Sequence, residues 1–311
     1  MNVTRTARFI EPMLLAPTKR LAEGANWSYE LKLDGYRALA VKSGGRVQLR
    51  SRNNKDFSKR YALIAAALEP LPDETVLDGE IVALNDVGRP DFSLLQNYGV
   101  TAVLVVYFVF DVLVLNGRDV TAETLTVRRQ LLADRVLQGL AEPIRQTPVF
   151  EADLDDLVAA VRQQGLEGLV AKRLDSRYEP GQRSGAWQKM RLNRTQEFVL
   201  GGWTPSVRNI DAVVFGHWVG EKLLYAGRTR SGFTPAVREK LQRQFIGLET
   251  DVCPFANLPE ANSGRWGQGL TAEKMKDCRW LKPVLRADFE FVEFTPDGHL
   301  RHAAFVRLRS E

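Results

Sequence analysis

Lys32 opens the first of six short fragments whose residue types can do chemistry. They are Lys32-Leu33-Asp34-Gly35-Tyr36-Arg37, Ser51-Arg52-Asn53, Leu77-Asp78-Gly79-Glu80-Ile81-Val82, Val109-Phe110-Asp111, Glu167-Gly168-Leu169-Val170-Ala171-Lys172 and Trp187-Gln188-Lys189-Met190-Arg191. A lysine amine attacks only without its extra proton, so its pKa must fall through burial or neighbouring cations, or its proton must leave as it reacts. Carboxylate oxygens are hard donors that suit Mg²⁺. Each fragment also has an ordinary reading. A Lys-x-Asp-Gly match arises by chance in about one chain in ten of this length, and alone it describes a surface lysine before an Asp-Gly turn. Glu80 and Glu167 are by default solvated carboxylates, Phe110 a core residue and Lys189 a surface charge. Six fragments in this order are hard to obtain by accident.

The fragments sit on or beside segments patterned as strands: Trp27 to Lys32, Tyr36 to Lys42, Val47 to Ser51, Thr75 to Leu84 and Val103 to Leu113. These are rich in β-branched, aromatic and leucine residues and are punctuated by glycine. Phe57, Tyr61, Ile64, Ala65 and Leu68 fall at helical spacing, as do Leu154, Leu157, Val158 and Val161. The first part therefore reads as α+β on antiparallel sheet rather than as repeated βαβ units. A junction is expected at the polar stretch Leu192 to Gln196, giving domains 1–193 and 194–311. Beyond it, strands are expected at Glu197 to Trp203, Ala212 to Val219 and Leu223 to Arg228. A helix opens at Thr234-Pro235 and runs to about Phe245, with threonine as cap and proline in the first turn. Asp288 to Phe294 and Leu300 to Leu308 read as a hairpin turned by Pro296-Asp297-Gly298. That order suits a small barrel such as an OB-fold, and other small β domains share the pattern.

Bulk properties set the frame. The 311 residues fit about two domains of roughly 150 each, and 44% apolar with 26% charged residues is ordinary for a globular chain with a core. A net charge of +5 and a pI of 9.2 allow a polyanionic partner without requiring one. Residues 171 to 195 carry seven Lys or Arg against two Asp or Glu, and Arg301, His302, Arg307 and Arg309 form a second basic run. Cys253 and Cys278 are too far apart for a Cys-x-x-Cys site and read as inert thiols of a reducing compartment. The N-terminus lacks a signal pattern, and Asp111 interrupts the most apolar run, Val103 to Leu115, which is shorter than the roughly 20 residues of a membrane span. The expectation is a soluble cytoplasmic protein that needs no membrane.

With their order taken together, the six fragments resemble the covalent nucleotidyltransferase superfamily of ATP-dependent DNA ligases, RNA ligases and mRNA capping enzymes. Within it the chain is most similar to the ligase module of bacterial DNA ligase D. The likeness runs from Phe9-Ile10-Glu11-Pro12-Met13-Leu14, through Glu197-Phe198-Val199-Leu200-Gly201-Gly202 and Tyr225-Ala226-Gly227-Arg228, to Gly298-His299-Leu300-Arg301-His302. It implies an antiparallel-sheet, ATP-grasp-like nucleotidyltransferase domain followed by a β-barrel OB-fold.

The resemblance also implies roles. Lys32 would attack the α-phosphate of ATP to form lysyl-AMP, which passes to a DNA 5′-phosphate before a 3′-hydroxyl expels AMP. Lys189 and Arg191 would neutralise the α-phosphate, and Asp34 would assist metal or nick geometry in the later steps. Glu80 and Glu167 would flank the nucleotide and hold Mg²⁺ or Mn²⁺. Phe110 would stack on adenine, Glu30 would accept from its amino group, Arg37 would meet the ribose, and Lys172 would join the nucleotide-binding set. Arg52 would take the DNA 5′-phosphate, a task suited to a guanidinium fork, with Arg183 and Arg194 as further DNA contacts. Nicked or broken duplex DNA is the implied partner of a monomer near the bacterial nucleoid, with a Ku-like end binder and a polymerase as family associates.

Two departures stand out. The Arg-x-Asp-Lys ending of the group, which orients pyrophosphate, is replaced by Arg309-Ser310-Glu311, so Arg307 or Arg309 would have to substitute. Arg191 stands where lysine is common. Only 31 residues precede Lys32, too few for a nicotinamide-recognising domain, which favours ATP over NAD⁺. The alternatives are an RNA ligase or capping-type enzyme, and a non-catalytic DNA-end-binding module.

Overall fold

Alternation at period two decides what each strand shows to its two sides. The computed structural model describes residues 6–96, 98–99, 103–192, 194–206, 209–262, 269–295 and 297–309. Two compact units are present, Met1–Leu192 and Asn193–Glu311.

In the first unit the strands in chain order are β1 (Ala16–Pro17), β2 (Trp27–Leu31), β3 (Tyr36–Ser43), β4 (Arg46–Ser51), β5 (Thr75–Leu84), β6 (Leu104–Leu115), β7 (Arg118–Asp119), β8 (Ile144–Gln146), β9 (Val149–Phe150), β10 (Gly168–Arg173) and β11 (Trp187–Arg191). They form two sheets, β1-β11-β10-β2-β9 and β4-β3-β5-β6-β7, with β8 beside β6 in the second. Pairing is antiparallel except for β1 with β11 and β6 with β8. Four α-helices, α1 (Ala62–Ala67), α2 (Phe92–Gln96), α3 (Leu125–Leu131) and α4 (Leu154–Gln163), cover the sheets.

Each sheet buries an apolar face, and the second also buries Leu39, Val41, Val76 and Leu113 of its other side. Ala38, Ala40, Leu77, Ile81, Tyr107 and Val109 of the second sheet pack with Ile64 of α1 and with Phe92 and Leu95 of α2. Tyr29, Leu169, Ala171 and Met190 of the first pack with Leu154 and Val161 of α4. The alternate residues Glu30, Val170, Lys172, Trp187, Lys189 and Arg191 must then share the opposite face, as the registers Val170↔Lys189, Val170↔Glu30 and Lys172↔Trp187 require. The helix expected across Phe57 to Leu68 is shorter than its periodicity suggests. Asp56 accepts the Ser58 N–H at 2.8 Å in a turn, and regular helix begins only at Ala62.

The second unit holds β12 (Arg194–Pro205), β13 (Ile210–Val219), β14 (Lys222–Thr229), α5 (Pro235–Phe245), β15 (Glu249–Thr250), α6 (Ala272–Met275), β16 (Arg279–Leu281), β17 (Arg286–Phe291) and β18 (Ala304–Leu308). β12 is long enough to pair with β13 along one edge and with β17 and then β16 along the other, which bends the sheet around a core of Phe198, Phe215, Phe289 and Phe305. Leu241 and Phe245 of α5 close that core. The helix has the limits its sequence predicts, and Thr234 Oγ1 caps it by accepting the Val237 N–H at 3.3 Å.

Two boundaries differ from expectation. Arg194, Thr195 and Gln196, read as a polar junction, already belong to β12 and pair with β17. Backbone pairing there leaves their side chains in solvent, so polarity hid the strand; Asn193 lies outside the described residues. The terminal hairpin is also interrupted. β17 ends at Phe291 and β18 starts at Ala304; between them the arms meet at the bridge Phe294↔Leu300 and through Val292 N–H on Arg301 O at 3.0 Å, with Gly298 N–H on Thr295 O at 2.8 Å in the turn. Pro296 of the expected turn lies outside the described residues.

Candidate active site

The polar faces of the first unit's sheets line an open cleft with a cavity of about 90 Å³. Glu30, Leu31, Val170, Lys172 and Trp187 line it from one sheet, and Arg37, Glu80 and Phe110 from the other. Leu15, Lys32, Leu33 and Thr147 complete the lining.

Backbone approach explains two motif glycines. A Cβ on Gly35 would lie 2.2 Å from the Ile81 carbonyl oxygen, and one on Gly168, whose φ is +153°, would lie 2.1 Å from that of Met190. Any side chain at either position would push apart the strands that hold Lys32 and Glu80 or Glu167. Phe110 reaches the cavity for a different reason. The β5–β6 register runs Asp78↔Asp111 and then Gly79↔Val109, so Phe110 is the extra residue of a bulge, the kind of irregularity that re-aims a side chain.

At one end of the site Lys32 Nζ lies 2.6 Å from Glu167 Oε2, while Arg191 Nε lies 3.1 Å from Glu167 Oε1. One carboxylate therefore ties the two cations together, with Lys32 only 14% and Glu167 6% exposed. Lys32 also donates its backbone N–H to Gly168 O at 2.9 Å, which extends the β2–β10 pairing by one residue and fixes the lysine's direction. Lys189 is half-buried on the same face. Burial, with the neighbouring charges of Lys32, Arg191 and Arg183, lowers its pKa. This cluster of cations fits a polyphosphate.

Glu80 stands opposite Arg37 in the β3–β5 register. Desolvation pushes its carboxyl up to about 8; Lys32 and Arg37 oppose that rise, and Glu167 and Asp78 add to it. The folded protein therefore holds this proton more tightly than an unfolded chain with a carboxyl near 4.5. Stability from Glu80 is complete below the unfolded value and is lost as pH rises through about 8. In metal-free buffer, Glu80→Gln should stabilise the protein by ~2 kcal/mol at pH 9 and by almost nothing at pH 4, less than the full shift implies because the cavity is open to water. Equal gains at both pH values in chemical denaturation would contradict the assignment.

At the other end, Glu30 is 3% exposed and both its carboxylate oxygens are engaged. Oε1 accepts from Arg129 Nη2, and Oε2 lies 2.7 Å from Lys172 Nζ, an electrostatic contact rather than a well-aligned hydrogen bond. The Lys172 ammonium sits 4.1 Å from the Phe110 ring centroid and 4.4 Å from that of Trp187, in cation–π contact with both. Burial lowers its pKa, with Glu30 opposing. Arg37 lines the cavity with its guanidinium committed: Nε and Nη2 donate to Asp78 at 3.0 and 2.6 Å, and Nη1 donates to Met13 O at 2.6 Å. Tyr178 donates to the same Asp78 at 2.6 Å.

The remaining expected residues lie elsewhere. Asp34 is half-buried in the loop after Lys32 and does not line the cavity. Arg52 is exposed just past β4, Arg183 is exposed between β10 and β11, and Arg194 is exposed at the start of β12 in the second unit. Arg307 and Arg309, the expected substitutes for the terminal motif, both bind Asp288, at 2.8 and 2.7 Å, and Arg309 also meets Glu197 at 2.9 Å. The Arg307 hydrogen bond leads the effects that hold the Asp288 carboxyl below its ordinary range. Arg129, Thr147 and the Asp78–Tyr178 clamp are site features that sequence reasoning missed; the signals for α3, which carries Arg129, are its cap Thr124 and the helical spacing of buried Leu125, Leu132 and Val136. Among the described residues no group of three or more His, Cys, Asp or Glu could hold a metal. Two carboxylates, Glu80 and Glu167, still fit Mg²⁺, which keeps waters and bridges phosphates rather than needing a full protein cage.

Comparison with known proteins identifies the family. The family model of the ATP dependent DNA ligase domain matches residues 12–191, and that of the ATP dependent DNA ligase C terminal region matches residues 206–311. The multifunctional non-homologous end joining DNA repair protein LigD of Mycobacterium tuberculosis is 34% identical over 296 residues, covering 93% of this chain and 37% of that protein. DNA ligase C1 of Mycolicibacterium smegmatis is 32% identical over 326 residues, covering 97% of this chain and 90% of its own length. A solved mycobacterial DNA ligase D complexed with ATP and MES superposes with a TM-score of 0.57 at 32% identity, over 97% of this chain and 95% of that one. The two units are thus a nucleotidyltransferase domain and an OB-fold domain. The chain belongs to the ATP-dependent DNA ligase family, and it spans little more than a third of the LigD proteins it matches. The family uses ATP and a divalent metal. Among the described residues no helix is long and apolar enough to cross a membrane.

Proposed function

We propose that this chain seals nicks or ends in duplex DNA through a lysyl-AMP intermediate on Lys32, in end-joining repair. The observation that carries the reading is the contact of Lys32 with Glu167 at the cavity's edge, with Lys189 and Arg191 on the same sheet face. Lys32 Nζ gives up a proton and attacks the α-phosphorus; a P–N bond forms, the bond to the β-phosphate oxygen breaks, and pyrophosphate leaves. A DNA 5′-phosphate oxygen then takes the AMP and returns the electron pair to Lys32. The adjacent 3′-hydroxyl finally attacks that phosphate and expels AMP. All three are in-line displacements, in which positioning and charge neutralisation supply most of the rate.

Lys189 and Arg191 neutralise the α-phosphate, Arg37 and Lys172 shape the nucleoside end, and Phe110 stacks on the base. Asp34 serves the later steps. Arg52, Arg183 and Arg194 hold DNA phosphates without reading sequence. A divalent cation, Mg²⁺ or Mn²⁺, held by Glu80 and Glu167 when bound, offsets charge on the phosphates. The names of the LigD relatives support the end-joining role. The proposal extends to a monomer acting at the bacterial nucleoid beside a Ku-like end binder and a polymerase, as the family resemblance implies. The test is incubation with α-labelled ATP and Mg²⁺ followed by nicked duplex. Covalent label that DNA discharges with sealing is expected; label discharged only by nicked RNA would replace the DNA reading.

A further inference from the structure

We propose that the exposed face of β4 is a phosphate track that holds the strand bearing the 5′-phosphate, beyond the contact made at Arg52. The assignment rests on the ligase reading above and extends the DNA footprint away from the nick. β4 is an edge strand of the second sheet, and period two splits its residues between two sides. Val47 and Leu49 pack against the core, while Arg46, Gln48 and Arg50 point the other way. The registers Leu39↔Arg50, Val41↔Gln48 and Ser43↔Arg46 put that row on the side from which Arg37 enters the cavity. Arg52 comes two residues after Arg50, and its backbone N–H donates to Arg37 O at 3.2 Å. The row therefore leads away from the reacting end, and the phosphates next in line after the one at Arg52 belong to the same DNA strand.

The row lines a groove of about 430 Å³ together with Arg8 of the N-terminal segment and Asn54. Three arginines and no carboxylate line it, and none of the three is in an ion pair among the described residues. Arg50 Nε and Nη2 donate to Gln48 Oε1 at 3.2 and 2.7 Å, which braces the guanidinium along the strand. Like charges lined up without acids repel one another, and a polyanion relieves that repulsion. Charged side chains on an edge strand also block pairing with other chains, but either sign serves that purpose, and here every charge is positive. At about 3.3 Å per residue the path from Arg46 to Arg52 covers about 20 Å, the rise of roughly six base pairs. Guanidinium contacts of this kind fix the position of a duplex without reading its bases.

The experiment measures, over a range of salt, binding of the full chain to a nicked duplex that lacks the 3′-hydroxyl and so cannot be sealed. For wild type, the slope of log affinity against log salt should shrink by at least about 2 when roughly six phosphates following the 5′-phosphate are replaced by neutral methylphosphonates. Arg46→Gln with Arg50→Gln should lose about 2 from the slope on ordinary DNA and little more on the neutralised DNA. Arg46→Lys with Arg50→Lys should keep the wild-type slope, because the charge is what meets the phosphate. An unchanged slope in the glutamine variant, with its denaturant midpoint as in wild type, overturns the track. Coupling of these arginines to phosphates of the template or of the 3′-hydroxyl strand overturns the assignment to the 5′-phosphate strand. A wild type that takes AMP and seals nicks, yet is indifferent to the methylphosphonates, refutes this inference alone. One that neither takes AMP nor binds nicked duplex overturns the ligase reading with it.

Discussion

Lys32→Ala and Lys32→Arg will both take up no AMP, a loss on the order of 10⁶-fold or below detection, the scale of removing a covalent nucleophile. The pair separates chemistry from architecture. Lys32 is in a close ion pair with Glu167, so alanine removes a nucleophile and leaves a carboxylate that is 6% exposed with Arg191 as its remaining partner. Arginine keeps the charge, but its guanidinium does not deprotonate in proteins and cannot attack phosphorus. Sealing of a nick whose 5′-phosphate already carries AMP needs no lysyl-AMP. Both variants should therefore retain that step, reduced by no more than ~10²-fold for the lost charge stabilisation. Label on Lys32→Arg would place the nucleophile elsewhere, Lys189 being the nearby amine whose pKa is lowered by burial and cations.

The largest effect on stability is expected at Arg128 of α3, the partner of Asp111 beside the bulge. Arg128 and Asp111 are both fully buried and meet through two bonds of 2.8 Å, and Arg128 Nη1 also donates to Glu123 O at 2.7 Å and Ser176 O at 3.0 Å. Asp111 stands across the ladder from buried Asp78, so each carboxylate needs its own arginine, Arg128 for one and Arg37 for the other. Arg128→Leu strands a charge in the interior and should cost ~3–5 kcal/mol. Adding Asp111→Leu should recover a large part of that loss, because a pair replaced by apolar groups leaves no uncompensated charge. Denaturant unfolding of both single variants and the double variant measures this; additive losses would show that the pair is not coupled. Phe110 precedes Asp111 directly, so a weakened KM for ATP should accompany the single change.

The catalytic fragments were legible because each carries its constraint in neighbouring residues. Lys32-Leu33-Asp34-Gly35 holds its lysine at the edge of a strand and a glycine where the Ile81 carbonyl leaves no room for a Cβ. Thr75 to Leu84 is legible at its full length because its β-branched and leucine content marks a strand whatever its burial. Thr234-Pro235 announced α5 for the same reason, as cap and first-turn proline act within one turn. Short strands such as β8, β9, β15 and β16 had too few residues to show any period.

What the sequence determined by itself was the order of the chemical groups, the α+β and barrel character of the two halves, and the position of the long strands. Those are local properties, set by residue type and by a side-chain repeat of two. Only tertiary structure decided which groups became partners. Arg129 reaches Glu30 across 99 residues, Tyr178 reaches Asp78 across 100, and Lys32 reaches Glu167 across 135. A charge in sequence shows only that it needs a partner or water. Strand pairing, register and a one-residue bulge choose that partner.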